Sequence, residues 1–460
     1  MMATVGRQIA KDMNHDAALD LSGRTLVVGL GVTGASVVRF LRSHGCDVCA
    51  MDSREHPPGL TGLRDKFPEV DINVGSLDAS AVIGINRVVL SPGLPVDLPL
   101  VTEARRRGLP VINDIEIFAA FAKAPIVAIT GSNGKSTVTS LVSAMLEACG
   151  HSAPAGGNLG TPALDLLAED ADVFVLEISS FQMETAQSLR PTSAAVLNVT
   201  PDHLDRHGNF EHYAGLKEKL LTGAKHAVVN ADDTCVKAMG ERHGNPTFFS
   251  TRTELDNGYS LVEFRRRVHL AADRKPLIAV ADLAMRGSHN VANALAALAI
   301  VEPLVVDLAP AVAVLKHFKG LANRCEYVAS IEGATYINDS KATNVAATVA
   351  ALQGFDGAII LIAGGQSKGA DFEQLRQHIP GKVKAIIVIG EAAEQLTEQL
   401  GDLCPVKRCR SMREAVHQAG SMTAAGDTVL LSPACSSLDM FANYEARGAA
   451  FKEAAAELNQ

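Results

Sequence analysis

The sequence predicts an α/β fold of three successive units, each a parallel sheet with helices on its faces. Short apolar runs alternate with helical patterns from Thr25 to Leu431, the alternation that builds parallel sheets. Many of these runs end in a glycine turn or polar cluster that opens the next element. At 460 residues the chain is also too long for a single core, since one domain holds roughly 100–200 residues. A hydrophobic share of 47% with aromatics at only 4% favours Ala, Val, Leu and Ile packed on buried strands over an aromatic-rich sandwich.

The first unit begins after about 20 residues that read as a loose extension. Leu26-Val27-Val28-Gly29 is a strand meeting a glycine turn, with a helical pattern through Arg42. Val48 to Met51 is the next strand, and Arg87-Val88-Val89-Leu90 runs into Ser91-Pro92-Gly93. The unit closes near Asn113. The second opens with the buried run Ala124 to Ile129 and continues through strands at Val173–Leu176, Ala194–Leu197 and Ala227–Val229 to an alanine-rich helix, Asn290 to Val301. A boundary near Gly320 precedes the third, with strands at Thr335–Ile337, Ala358–Ile362, Ala385–Ile389 and Thr428–Leu431. The expected units are therefore 1–113, 114–320 and 321–460, with no short-period repeat.

Composition excludes several classes. A net charge of −9 with no basic run argues against nucleic-acid binding; the triplets Arg105-Arg106-Arg107 and Arg265-Arg266-Arg267 read as solvated faces. No stretch of about 18 apolar residues suggests a membrane span, and the N-terminus lacks the apolar segment of a signal peptide. The eight cysteines are scattered as in a reduced cytoplasmic protein. Cys46 and Cys49 form a C-x-x-C, but on a strand positions three apart face opposite sides, so their sulfurs should diverge.

The strongest chemical signal follows Ile129. In Thr130-Gly131-Ser132-Asn133-Gly134-Lys135-Ser136-Thr137 the glycines let successive N–H groups converge into an anion nest. Lys135 adds a mobile charge for the β- and γ-phosphates, and Ser136 or Thr137 a hydroxyl for Mg²⁺ at a helix N-terminus. The spacing is one glycine short of G-x-x-x-x-G-K-[ST], because Ile stands at 129. Metal ligands are expected at later strand ends: Glu177 after Val173–Leu176, and Asp202 or His203 after Ala194–Leu197. Gly29-Leu30-Gly31-Val32-Thr33-Gly34, with Asp52 ending the next strand, has the form of a dinucleotide fingerprint. A diphosphate could lie across that turn, whether NAD, FAD or a sugar nucleotide. Three polar clusters end strands of the last unit: Asn338 to Asn344, Gly364 to Gly369, and Ser432 to Asp439. Their hydroxyls and turns suit anions, although each alone is ordinary loop chemistry.

Taken together, the chain resembles the Mur ligases. The resemblance extends from Thr25 to the C-terminal region and is carried by Thr130–Thr137, Glu177-Ile178-Ser179-Ser180-Phe181-Gln182, Asn198 to Arg206, His289-Asn290 with Asn293, Asn338 to Asn344, and Leu431 to Ser437. It implies an N-terminal Rossmann-like domain for a UDP group, a central P-loop ATPase domain, and a C-terminal Rossmann-like domain that closes over the site. It implies a cytoplasmic, monomeric ligase of peptidoglycan synthesis that adds D-glutamate to UDP-N-acetylmuramoyl-L-alanine through an acyl phosphate, with ATP and two Mg²⁺ ions.

Residue by residue, the resemblance implies that Gly131, Ser132, Asn133, Gly134, Lys135, Ser136 and Thr137 hold the triphosphate. Ser136, Glu177, His203 and a carbamylated Lys217 would ligate the two ions, with Asn158 and His203 near the reacting carboxylate. Asn290, Asn293, Arg324 and Asp339 would contact the nucleotide, and Thr33, Asp52, Ser53, Arg54 and Ser91 would surround the UDP part. Lys341, Thr343, Lys368, Ser437 and Leu438 would recognise D-glutamate. Asn323 stands where members often have His, and Tyr444 where they often have Phe. An oxidoreductase built on the Gly29 turn would leave the Gly134-Lys135-Ser136-Thr137 loop and the metal ligands without a role.

Overall fold

Five parallel strands make the first sheet of the computed structural model, which describes residues 19–458 except 159, 356 and 368 and the side chain of Asp205. The N-terminal extension through residue 18 and the expected D-glutamate contact Lys368 thus lie outside the described residues. The strands β1 (Arg24–Val28), β2 (Asp47–Asp52), β3 (Asp71–Val74), β4 (Arg87–Leu90) and β5 (Val111–Ile112) lie in the order β3-β2-β1-β4-β5. The chain's progression across the sheet reverses between β1 and β4, the kind of switch point where open α/β sheets bind ligands. Val27, Val48 and Ala50 pack on one side of this sheet, and Leu26, Val28 and Met51 on the other. Cys46 and Cys49 fall in these two different cores, so the C-x-x-C does diverge as its spacing requires.

The second sheet contains β6 (Ile126–Thr130), β7 (Ala155–Gly157), β8 (Phe174–Glu177), β9 (Ser193–Val196), β10 (His226–Asn230) and β11 (Thr247–Phe249), ordered β11-β10-β9-β6-β8-β7. Pairings within this set are parallel. All residues of β6, β8 and β9 are buried, as in a sheet covered on both faces. Glu177 is the last residue of β8, not the first residue beyond it. Helix Asp114–Phe121 joins the two sheets, with Asn113 accepting from Glu116 N as its cap. Ile115 and Phe118 of this helix belong to one apolar core with Val27 of the first sheet and Ala128 and Phe174 of the second. Strands β12 (Tyr259–Phe264), β13 (Arg267–Ala272) and β14 (Lys275–Ala279) follow in sequence.

The third sheet contains β15 (Glu326–Ile331), β16 (Ala334–Asn338), β17 (Ile359–Gly364), β18 (Val383–Ile389), β19 (Val406–Arg408) and β20 (Thr428–Leu431), ordered β15-β16-β20-β17-β18-β19. Only β15 runs antiparallel to its neighbour. Its two faces carry separate cores, around Leu361 and Leu430 on one side and Ile360 and Val429 on the other. The chain gathers into two compact units. Of the described residues, the first holds those from 19 to 260 with 272–275 and 295–314; the second holds those from 261 to 271, 276 to 294 and 315 to 458.

Candidate active site

The loop after β6 leads directly into helix Lys135–Ala148, whose N-cap Gly134 has φ +84°. That left-handed conformation suits glycine and aims the loop amides inward. The loop is braced from behind. Asn133 N donates to Asn198 Oδ1 at 2.8 Å, and Asn198 Nδ2 returns to Asn133 O at 3.0 Å. Ser132 Oγ lies 2.9 Å from the Tyr213 hydroxyl and donates to Thr200 O at 3.1 Å. Lys135 Nζ folds back onto its own loop, donating to Gly131 O at 2.9 Å and Ser132 O at 3.0 Å.

At the end of β8, Glu177 is buried and accepts two side-chain donors. Ser136 Oγ lies 2.5 Å from Oε2, and Asn158 Nδ2 lies 2.6 Å from Oε1. A hydroxyl and a carboxylate thus stand side by side at the head of the phosphate loop. Mg²⁺ prefers hard oxygens and keeps several waters, so Ser136 and Glu177 fit one such ion bound together with phosphate. Among the described residues, no group of three or more His, Cys, Asp or Glu gathers into a larger metal cluster.

The ligand set expected for a second ion is arranged differently. His203, at φ +52°, caps helix Leu204–His207, and its side chain is 49% exposed. Its ring lies 4.8 Å from that of Phe181, and Nε2 lies 3.7 Å from Asp202 Oδ2. Lys217, on helix Phe210–Glu218, is 1% exposed; its Nζ donates to Gly131 O at 2.8 Å and lies 4.6 Å from the centre of the Tyr213 ring. Burial holds this amine well below the ordinary lysine range, and the charge of Lys135 adds to the effect.

Several structural partners here were not foreseen. Arg206 pairs with Glu184 at 2.5 Å and donates to Leu94 O at 2.7 Å, tying the loop after β4 to the His203 segment. His207 meets Ser180 Oγ at 3.0 Å. Burial and neighbouring Arg206 pull His207 down to about 4. Beneath them, Gln182 donates to buried Asp114 at 3.3 Å. Isolated polar residues on short helices carry no periodic signal, so only the tertiary contacts show these roles.

Both ends of the candidate UDP crevice are in the first unit. Asp52 accepts Leu30 N at 2.7 Å and Arg54 through Nε and Nη2 at 2.9 and 2.7 Å. Arg54 holds its carboxyl down, at about 2. Thr33 lies in the first turn of helix Val32–Ser43, Ser53 is exposed beside Arg54, and Ser91 follows β4 with its N–H on Val28 O.

The second unit carries the other expected residues. Asn293 Nδ2 donates to Asn290 Oδ1 at 3.1 Å, and Asn290 Nδ2 to Arg286 O at 2.8 Å. Buried Asp339 accepts Ser432 Oγ at 3.0 Å and Cys325 N at 3.1 Å. Burial pushes it up to about 7, against the pull of those bonds and of Arg324. Lys341 Nζ lies 3.9 Å from the Tyr444 ring centre, so the residue that replaces Phe still offers an aromatic face. Asn323 takes φ +62° and accepts Asn338 Nδ2 at 2.9 Å. Thr343 is exposed, Ser437 is buried, and Leu438 is 60% exposed. The loops after β16, β17 and β20 all leave the carboxyl ends of adjacent strands.

Family models match over three segments: a Mur ligase MurD-like N-terminal domain at residues 23–113, a Mur ligase middle domain at 129–301, and a Mur ligase glutamate ligase domain at 323–435. A UDP-N-acetylmuramoylalanine–D-glutamate ligase of Nitrosococcus oceani is 42% identical over 97% of this chain and 99% of its own length. Its counterpart in Methylococcus capsulatus is 45% identical over 94% of each, and that of Pseudomonas aeruginosa is 43% identical over 94% and 98%. Among solved structures, a pseudomurein peptide ligase type C from Methanothermus fervidus and a UDP-N-acetylmuramate–alanine ligase from Thermotoga maritima each share the fold. Both have a TM-score of 0.59 at 20% identity, covering 95% of this chain and 100% and 99% of theirs.

Proposed function

This chain belongs to the Mur ligase family, and we propose that it joins D-glutamate to the alanine carboxylate of UDP-N-acetylmuramoyl-L-alanine at the expense of ATP. The observation that carries the reading is the Ser136–Glu177–Asn158 cluster at the head of the phosphate loop. Relatives at 42–45% identity over nearly their whole length bear the corresponding name.

A free carboxylate cannot yield an amide at neutral pH, because oxide is too poor a leaving group. ATP solves this by phosphorylating the carboxylate; the amine of D-glutamate then attacks the carbonyl carbon and phosphate departs. The chain supplies positioning and electrostatics. The Gly131–Thr137 amides cradle the β- and γ-phosphates, while Lys135 exchanges its loop carbonyls for phosphate oxygens. Ser136 and Glu177 would hold Mg²⁺, and the ion would supply positive charge to the transferring phosphoryl group. Asn158 and His203 orient the acceptor carboxylate. The turn after β1, with Thr33, Asp52, Ser53, Arg54 and Ser91, receives the UDP end. Asn290, Asn293, Arg324 and Asp339 serve the nucleotide, and Lys341, Thr343, Lys368, Ser437 and Leu438 the amino acid.

Lys217 completes the set as a carbamate. Its buried amine is held towards the neutral form, which can attack CO₂ with release of a proton. The product is an anionic oxygen on a long stem, the ligand type that His203 cannot provide to a second Mg²⁺. Among the described residues no helix is long and apolar enough to cross a membrane; the ligase reading itself implies action in the cytoplasm, as a monomer.

The test is phosphate release with UDP-N-acetylmuramoyl-L-alanine, ATP and single amino acids. D-glutamate should support turnover; turnover with another amino acid and none with D-glutamate overturns the reading. With ¹⁸O in the acceptor carboxylate, one label per turnover should appear in phosphate, and label confined to the amide would exclude the acyl phosphate.

A further inference from the structure

We propose that Arg447 is the positioning residue of the amino-acid end of the site, holding the three loops that receive an anionic amino acid; this rests on the ligase reading above. Arg447 stands on the last helix, Tyr444–Leu458, and is among the largest fully buried side chains of the protein. An arginine buried to this degree normally faces a carboxylate, since an unpaired buried charge costs several kcal/mol. Among the described residues its side-chain hydrogen bonds go to uncharged groups. Nε donates to Ser340 Oγ at 3.0 Å and Nη2 to Ser340 O at 2.8 Å. Nη1 donates to Cys435 O at 3.0 Å and Gly364 O at 3.4 Å.

Those acceptors lie on three different loops. Ser340 follows β16 and precedes Lys341 and Thr343. Cys435 follows β20, two residues before Ser437. Gly364 ends β17 and opens the turn toward Gln366. A rigid guanidinium fork with five donors can span them; a lysine ammonium cannot reproduce that geometry. Burial lowers Arg447 to about 10, so it remains charged at neutral pH. Asp339 and Asp439 contribute to the field around it, but neither is bonded to it. Among the described residues the cation therefore has no bonded counter-ion, which favours an anion in front of the loops. Asp339 is anchored separately by Ser432 Oγ, Cys325 N and Leu431 O, so a change at Arg447 should leave the nucleotide side in place.

The experiment compares Arg447→Lys and Ser340→Ala with the unaltered full-length enzyme, reading KM for D-glutamate, ATP and the UDP substrate beside the thermal midpoint. Loss of charge-assisted bonds of this kind should raise KM for D-glutamate roughly 10- to 100-fold in Arg447→Lys. Ser340→Ala, which removes one acceptor and keeps the charge, should show a smaller rise. KM for ATP and for the UDP substrate should stay within about twofold. An unchanged KM for D-glutamate in both variants overturns the proposal. So does a parallel rise of all three constants with a fallen midpoint, the signature of a merely structural arginine. If the unaltered enzyme works only with a different amino acid, the ligase reading fails in its substrate, and the same split is then measured with that amino acid.

Discussion

Lys135 and Lys217 converge on one carbonyl oxygen, that of Gly131, at 2.9 and 2.8 Å. Two ammonium groups sharing one neutral acceptor repel each other, and the buried one has less water to compensate it. Lys217 is the buried member, so it carries the depression. When Lys135 turns to phosphate, Lys217 remains beside the loop as an amine with low proton affinity.

Carbamylation is the expected consequence. Protein equilibrated with ¹³C-bicarbonate should show a carbamate carbon resonance that is missing in Lys217→Ala. That variant should lose about 100-fold or more in kcat, the scale on which one electrostatic partner acts. Full activity in Lys217→Ala would dismiss the carbamate.

Each carboxylate oxygen of Glu177 accepts a hydrogen bond from a side chain that the chain brings in after β6 or β7. Ser136 heads the helix after β6, and Asn158 follows β7. Glu177→Gln keeps the shape but removes the anionic oxygen, so kcat should fall roughly 10²- to 10³-fold. The Mg²⁺ concentration for half-maximal rate should rise as well, while KM for the UDP substrate stays near its original value. An unaltered magnesium dependence would mean that Glu177 is not a ligand.

Asp114, at the start of the helix that joins the first two sheets, accepts from Gln182, and its buried Oδ1 has no hydrogen-bond partner among the described residues. Burial raises it to about 6, against the pull of Gln182. The folded state therefore holds its proton more tightly than the unfolded chain, whose carboxyl titrates near 3.8. Stability falls as pH rises from about 4 to about 6 and is flat above, a loss on the order of 2–3 kcal/mol. Asp114→Asn should flatten that dependence. Denaturant unfolding at pH 4, 5, 6 and 7 measures it; parallel curves for both proteins would remove Asp114 from the account.

Much of this layout was legible in the sequence because buried parallel strands write themselves as apolar runs. Val173–Leu176 and Ala385–Ile389 fall within a few residues of β8 and β18. Edge strands are less visible. β7 is Ala-Gly-Gly and β3 is Asp-Ile-Asn-Val, one without β-branched residues and one alternating as a half-exposed strand does. Glycine spacing marked the Gly131–Thr137 loop, and the structure sets Glu177 of the second motif against Ser136 of that loop. Glu184, Arg447 and the contacts of Arg206 escaped notice because a polar residue on a helix looks solvent-facing until the opposing loop is known. Their roles depend on contacts with Leu94, Ser340 and Cys435 at distant sequence positions.

The turn after β1 offers a test that separates packing from ligand approach. Gly34 sits in helix Val32–Ser43 where a Cβ would fall 1.7 Å from Gly29 O. No rotamer relieves a clash with backbone, so Gly34→Ala must push the helix off β1. The cost should be at least the ~1–3 kcal/mol of an overpacked core, seen as a lowered thermal midpoint along with weaker UDP-substrate binding. Gly31, three residues earlier, is the N-cap at φ −72°, and a Cβ there meets nothing within 4 Å. Gly31→Ala should therefore leave the midpoint almost unchanged. If the substrate diphosphate lies against this turn, the added methyl group occupies its approach, and KM for UDP-N-acetylmuramoyl-L-alanine should rise about tenfold or more. KM for ATP should not move. A Gly31→Ala enzyme with an unaltered KM for the UDP substrate would place the diphosphate elsewhere, whatever Gly34→Ala does to stability.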